Sequence, residues 1–153
     1  MKSISYKNFF HSDFEDLPLS DDALFGKMLL PEKYHHLIEQ AKACDIEAIR
    51  KLKEMFTYGR DGTIPNFDIA QRYWHALHSH AESTCFPATV SDSFDDYAYL
   101  LEEFDRSLEE QAEAYAFAVS YMTSELPPEH WDISILQQHL LRLEEISLIL
   151  DPE

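Results

Sequence analysis

The sequence predicts an all-α fold of about six helices stacked as helical hairpins, on three observations. Only three glycines occur in 153 residues. Apolar–polar alternation of the strand kind is nearly absent. Long segments instead repeat apolar residues at spacings of three and four, which is one face of an α-helix. Hydrophobic residues make up 45% of the chain, enough for one domain over residues 1–153 to bury a real core.

The elements follow in order. Residues 1–19 form an irregular arm rich in aromatics (Tyr6, Phe9, Phe10, Phe14), expected to pack onto the domain. Ser20 is placed to cap a short helix from about Asp21 to Leu30, and Pro31 suits the first turn of a helix reaching Ala43. Asp45 is the expected N-cap of a helix over Ile46–Tyr58, and Gly59 stands where a C-terminal glycine belongs. Residues 59–66 hold two glycines and a proline and read as a tight loop. Asn66 or Asp68 then caps a helix to about Glu82. Residues 83–91, with Pro87 inside, read as a connecting loop.

The longest helix is expected from about Phe94 to Ser124, started by Ser91 or Ser93. Tyr97, Leu101, Phe104, Leu108, Ala112, Tyr115, Val119 and Met122 run through it at spacings of three and four, as one continuous stripe. Pro127 and Pro128 end it, since neither supplies an N–H to the ladder. A last helix runs from about Asp132 to Leu150. Leu141, Leu148 and Ile149 lie off its main stripe, so it is either a central core helix or part of an interface, and a homo-oligomer through it stays open.

Charge separates the two halves. Residues 1–72 hold 10 Lys+Arg and 12 Asp+Glu, a net of −2. Residues 73–153 hold only Arg106 and Arg142 against 17 acids, a net of −15. A field of one sign repels phosphate backbones, so nucleic acid is excluded as a partner, and it attracts basic proteins. No apolar run approaches the roughly 18 residues that cross a bilayer. The N-terminus lacks the apolar stretch of a secretory signal. Two cysteines make no disulfide framework, so a cytoplasmic location is expected.

Within residues 41–78, Ala48, Leu52, Phe56, Gly59, Gly62, Asn66, Ala70 and Tyr73-Trp74 fall in a recognisable order. The segment resembles one SEL-like repeat, a relative of the tetratricopeptide repeat. Phe56 takes the place of a tyrosine and Asn66 that of an aspartate, while Lys53 stands where a second glycine is usual. The resemblance implies an αα-hairpin in which the two small alanines let the helices approach and Leu52, Phe56 and Trp74 fill the groove. It also implies a scaffold that binds other proteins rather than an enzyme.

Candidates for chemistry are few. His75, His78 and His80 cluster near Cys85, and His75 and His78 are one helical turn apart. The His-Glu-x-x-His spacing of a metal helix is missing, so solvated or interface histidines are expected, with no metal and no cofactor. Glu32-x-x-His35 has no second copy to complete a di-iron pair. No nucleophile elbow or phosphate-cradling glycine loop occurs, and nothing in sequence activates Cys44 or Cys85. Enzymatic activity is therefore not expected.

The expectation is a non-enzymatic acidic module that masks a basic protein partner, as an inhibitor or immunity-type protein does. Its binding face is expected to be Asp95, Asp96, Glu102, Glu103, Asp105, Glu109, Glu110 and Glu113. The first alternative is an adaptor whose hairpin groove, around Tyr58, Tyr73 and Trp74, takes a peptide. The second is a metal-dependent enzyme using the histidine cluster.

Overall fold

Six α-helices carry the described residues, and their ends show why they stop where they do. The computed structural model describes residues 30–151, so the expected aromatic arm at 1–19 and nearly all of the expected helix from Asp21 lie outside the described residues. The helices are α1 (His35–Lys42), α2 (Ile46–Tyr58), α3 (Phe67–Ser83), α4 (Pro87–Glu103), α5 (Leu108–Glu125) and α6 (Ile133–Leu150). Single 3₁₀ turns stand at Glu32–Tyr34, Arg60–Gly62 and Pro128–His130, and the described residues include no strand. The all-α expectation holds. The described residues form two compact units that divide between residues 80 and 81.

In the first unit, Pro31 opens a 3₁₀ turn, and α1 proper begins only at His35. The turn into α2 is a Schellman motif: Cys44 N–H donates to Ala41 O (2.9 Å) and Asp45 N–H to Gln40 O (3.0 Å). Cys44 takes the left-handed conformation that glycine usually supplies there (φ 66°). Asp45 then caps α2 by accepting from Glu47 N–H (3.1 Å) and Ala48 N–H (3.3 Å). Gly59 ends α2 at φ 70°, and a Cβ there would meet Pro65 Cδ at 2.8 Å, so the position demands glycine.

The loop folds back on the end of α2. Thr63 Oγ1 donates to Met55 O and Asn66 N–H to Phe56 O, each at 2.8 Å. Asn66 Oδ1 in turn accepts from Ile69 N–H (3.1 Å) and starts α3. Ala48, Leu52, Phe56, Ala70, Tyr73 and Trp74 are all buried, and the rings of Phe56 and Tyr73 lie 6.3 Å apart, nearly parallel.

The second unit corrects two expectations. The loop foreseen at 83–91 is shorter, because Pro87 is the first residue of α4 rather than a breaker. Its fixed φ and missing N–H cost nothing in a first turn. The long helix foreseen over 94–124 is two helices, α4 and α5, joined by a tight turn. Asp105 adopts φ 50°, Asp105 N–H donates to Glu102 O and Arg106 N–H to Leu101 O, each at 3.0 Å. This is a second Schellman turn, with aspartate in the glycine place. Ser107, with the Ser-x-x-Glu pattern of a capping box, restarts the chain as N-cap: its Oγ accepts from Glu110 N–H (3.1 Å) and donates to Glu110 Oε1 (3.2 Å).

Helix α4 packs on α5, and α5 on α6. Phe94 of α4 meets Phe117 and Tyr121 of α5 at 4.8 and 5.0 Å between ring centres. Further along, Met122, Leu126 and Leu136 form a buried cluster, joined by Val119, Tyr121, Trp131 and Ile135. Trp131 Nε1–H donates to Leu126 O (2.9 Å), and Asp132 caps α6 by accepting from Ile135 N–H (3.1 Å).

Candidate functional site

Eight acids were candidates for one exposed face, and the fold divides them. Asp96, Glu102, Glu103, Asp105, Glu109 and Glu113 are exposed, and Glu110 is half-buried. Asp95 is the exception, at 4% exposure. It points inward, because on a helix the residue next to an outward Asp96 stands about 100° around the axis. Burying a carboxylate requires a partner, and Asp95 Oδ1 shares a 2.8 Å hydrogen bond with Nε2 of His139 on α6, itself 1% exposed. Asp95 therefore belongs to the core and not to the binding face.

His139 underlies a cleft of about 270 Å³ between α4, α5 and α6. The rings of Tyr115 and Tyr99 stand 5.0 and 5.8 Å from the imidazole. Glu102, Arg142 and Glu145 also line the cleft. Tyr115 O–H donates to Glu102 Oε2. Arg142 sits among acceptors: its Nε is 3.4 Å from Glu102 Oε1, Nη1 3.3 Å from Glu145 Oε2, and Nη2 3.2 Å from Gln111 Oε1. Arg106, the other arginine of this unit, is paired with Glu110 at 3.4 Å. Both positive charges are thus already engaged within the unit.

The tyrosines report the local field. Burial, and then the hydrogen bond to Glu102, push the Tyr115 hydroxyl far above its ordinary value. Tyr99 is raised by burial and then by the carboxylates of Asp95, Asp96, Asp132 and Glu102. Asp92 is raised by burial and by Asp95 and Asp132. The cleft thus has aromatic faces and carboxylates on its rim, with Arg142 lying among them.

In the first unit, Tyr58, Tyr73 and Trp74 do not line one open groove among the described residues. Tyr73 and Trp74 are each 1% exposed and fill the interior themselves, while Tyr58 points outward with the Arg60 guanidinium 4.9 Å from its ring centre. The histidines also differ from expectation. His75 and His78 are buried, with Trp74 stacked 4.8 Å from His78 and edge-on 5.1 Å from His75, and His80 is exposed. They face inward because a residue beside Trp74 and one a turn along share its buried arc. Among the described residues, no three His, Cys, Asp or Glu side chains converge as metal ligands do. Cys44 and Cys85 are exposed, and both hold positive φ at the ends of helices.

Sequence reasoning missed His139, since nothing local marks it. It also missed Tyr99, Tyr115 and Arg142 as parts of one cleft, because they meet only when α4, α5 and α6 pack.

The Asp95–His139 pair makes a direct test. Asp95→Ala is expected to cost about 1–3 kcal/mol in urea unfolding, since it leaves a buried imidazole nitrogen unsatisfied. Asp95→Asn should cost less, and Glu103→Gln, on the surface, should stay within about 0.5 kcal/mol. Equal losses for Asp95→Ala and Glu103→Gln would show that the pair contributes nothing.

No protein-family model matches this chain, no curated protein is detectably similar to it, and no solved structure matches its fold. No helix among the described residues is long and apolar enough to cross a membrane.

Proposed function

We infer that this protein binds a basic protein partner, as a non-enzymatic inhibitor of the immunity type that covers the partner's working site. The observation that carries the reading is the corner between α4 and α5. Six acids occur within residues 102–113, around one tight turn, and five of them are exposed. Glu102 and Glu103 stand in the last turn of α4, which holds no basic residue of its own; Arg142 of α6 reaches Glu102, and Glu103 is left facing solvent. A carboxylate there opposes the helix dipole, so the exposed Glu103 supports attraction of a basic group from outside. The cleft beside them suits the side chain of an approaching lysine or arginine, with Tyr99 as a wall and Glu102 and Glu145 as acceptors shared with Arg142.

On the same reading, residues 41–78 make one SEL-like hairpin, α2 and α3, whose buried Ala48, Leu52, Phe56, Ala70 and Trp74 suit that resemblance. The acidic unit is then the working surface.

The structure also selects the residues to test. Glu102 is tied to Tyr115 and Arg142, and Glu110 to Ser107 and Arg106, so changing either disturbs the fold. Glu103→Gln, Asp105→Asn, Glu109→Gln and Glu113→Gln together remove charge only. With a co-purifying basic protein, stopped-flow association of this variant is expected to slow by about tenfold or more at low salt. The difference should shrink as salt rises, because screening removes the same attraction from the wild type. An unchanged rate with the same salt slope would reduce the corner to a solubility coat.

A further inference from the structure

Helix α6 leaves a row of aliphatic side chains without cover. Ile133, Leu140, Leu141 and Leu148 are each between 53% and 60% exposed. At 100° per residue they fall on one arc of the helix, opposite the buried Leu136, His139 and Ile146. Soluble surfaces scatter such residues singly, so four on one arc mark a contact. The same arc is short of charge. Glu144 is the one ionised residue between Ile133 and Leu148 on that side, and Gln137 is its polar neighbour.

The pattern reads the same in both directions about a point between Leu140 and Leu141. Ile133 and Leu148 are equally far from that point, as are Gln137 and Glu144. A two-fold interface needs this property, because one patch must complement itself. We propose that a second copy of this chain docks on α6, with the two α6 helices antiparallel and crossing at Leu140–Leu141. Ile133 then meets Leu148 of the second copy, and Gln137 meets its Glu144.

The polar pair decides the direction. In the antiparallel arrangement the Gln137 amide donates to the second copy's Glu144 carboxylate, so neither polar group is stranded in the contact. The two Glu144 carboxylates stay about 10 Å apart along the axis, near the screening length at ordinary salt. A parallel pair would set Glu144 against Glu144 and Gln137 against Gln137. The contact is one face of a helix about 27 Å long, smaller than the roughly 1,200–2,000 Å² that stable interfaces bury. The dimer is therefore weak and reversible. It goes beyond the acidic-corner reading and meets it at one residue, since Leu141 also lines the cleft between α4, α5 and α6.

Sedimentation velocity of the full chain, from a few to several hundred micromolar, tests the proposal. The expected result is a shift from monomer to dimer with concentration. Raising salt should strengthen the dimer, because each copy carries a net charge of −17 and screening relieves repulsion. This is the opposite of the salt effect expected for a basic partner. Leu141→Glu is exposed enough to leave the circular dichroism spectrum unchanged, and it should return the protein to monomer at every concentration. Gln137→Lys should tighten the dimer several-fold by meeting Glu144 of the second copy, and Glu144→Gln in the same chain should cancel that gain. A wild type that stays monomeric throughout, or a Leu141→Glu variant that still dimerises, overturns the proposal. A Gln137→Lys variant that dimerises more weakly overturns the antiparallel register.

Discussion

Trp74→Ala is expected to destabilise the protein by about 3–5 kcal/mol, read as a fall in the urea midpoint at constant slope. The indole is 1% exposed, stacks on His78 and meets the edge of His75, so truncation leaves a cavity that these stiff rings fill poorly. Total stabilities of domains this size run to about 5–15 kcal/mol, and a loss on this scale threatens the fold. Trp74→Phe is the milder companion, keeping an aromatic ring in the site and losing less. A loss below about 1 kcal/mol for Trp74→Ala would mean the indole is not core at all and would return it to the peptide-groove reading.

Acid is expected to weaken the protein before its carboxylates titrate. Burial lowers His75 to about 4, and burial together with the neighbouring His75 lowers His78 to about 3. In the unfolded chain both titrate near 6.5. Between these values the unfolded state takes up protons that the folded state refuses, so stability rises with pH across the window. The contribution is complete above pH about 6.5 and is lost as pH falls toward 4, roughly 3 kcal/mol for each histidine taken singly. Urea midpoints at pH 7, 6 and 5 should therefore decline for the wild type and much less for the His75→Gln, His78→Gln double variant. The decline has to overcome an opposing effect, because protonating a chain of net charge −17 relieves its self-repulsion. A flat profile from pH 7 to 5 in the wild type would show that these imidazoles charge without opening the core.

Helix boundaries were legible where a side chain or a glycine performs the capping. Asp45, Gly59 and Asn66 stand at the ends foreseen for them, and α2 runs from Ile46 to Tyr58 as expected. The break between α4 and α5 was not legible, for a specific reason. Phe104 and Leu108 continue the spacing of four across it, so the apolar period never falters. The residue that turns the chain is Asp105 at φ 50°, where a reader looks for glycine. The usable signal was Ser107-x-x-Glu110, a capping-box pattern inside what reads as one helix. Pro87 was the same kind of signal, a first-turn proline taken for a loop residue.

The acidic character of residues 73–153 is a matter of composition, and the sequence alone determines it. So is the all-helical class, since apolar period and caps act over three or four residues and need no distant partner. Which carboxylates meet water is different in kind. Asp95 and Asp96 are adjacent and chemically identical, yet one is buried against His139, 44 residues away, and the other is exposed. Tyr73, His75 and His78 likewise read as groove or surface residues until packing encloses them. Burial depends on which helix faces settle against each other, and a linear pattern gives each face without its partner. Tertiary packing alone decided the Asp95–His139 pair, the cleft above it, and the bare aliphatic row on α6.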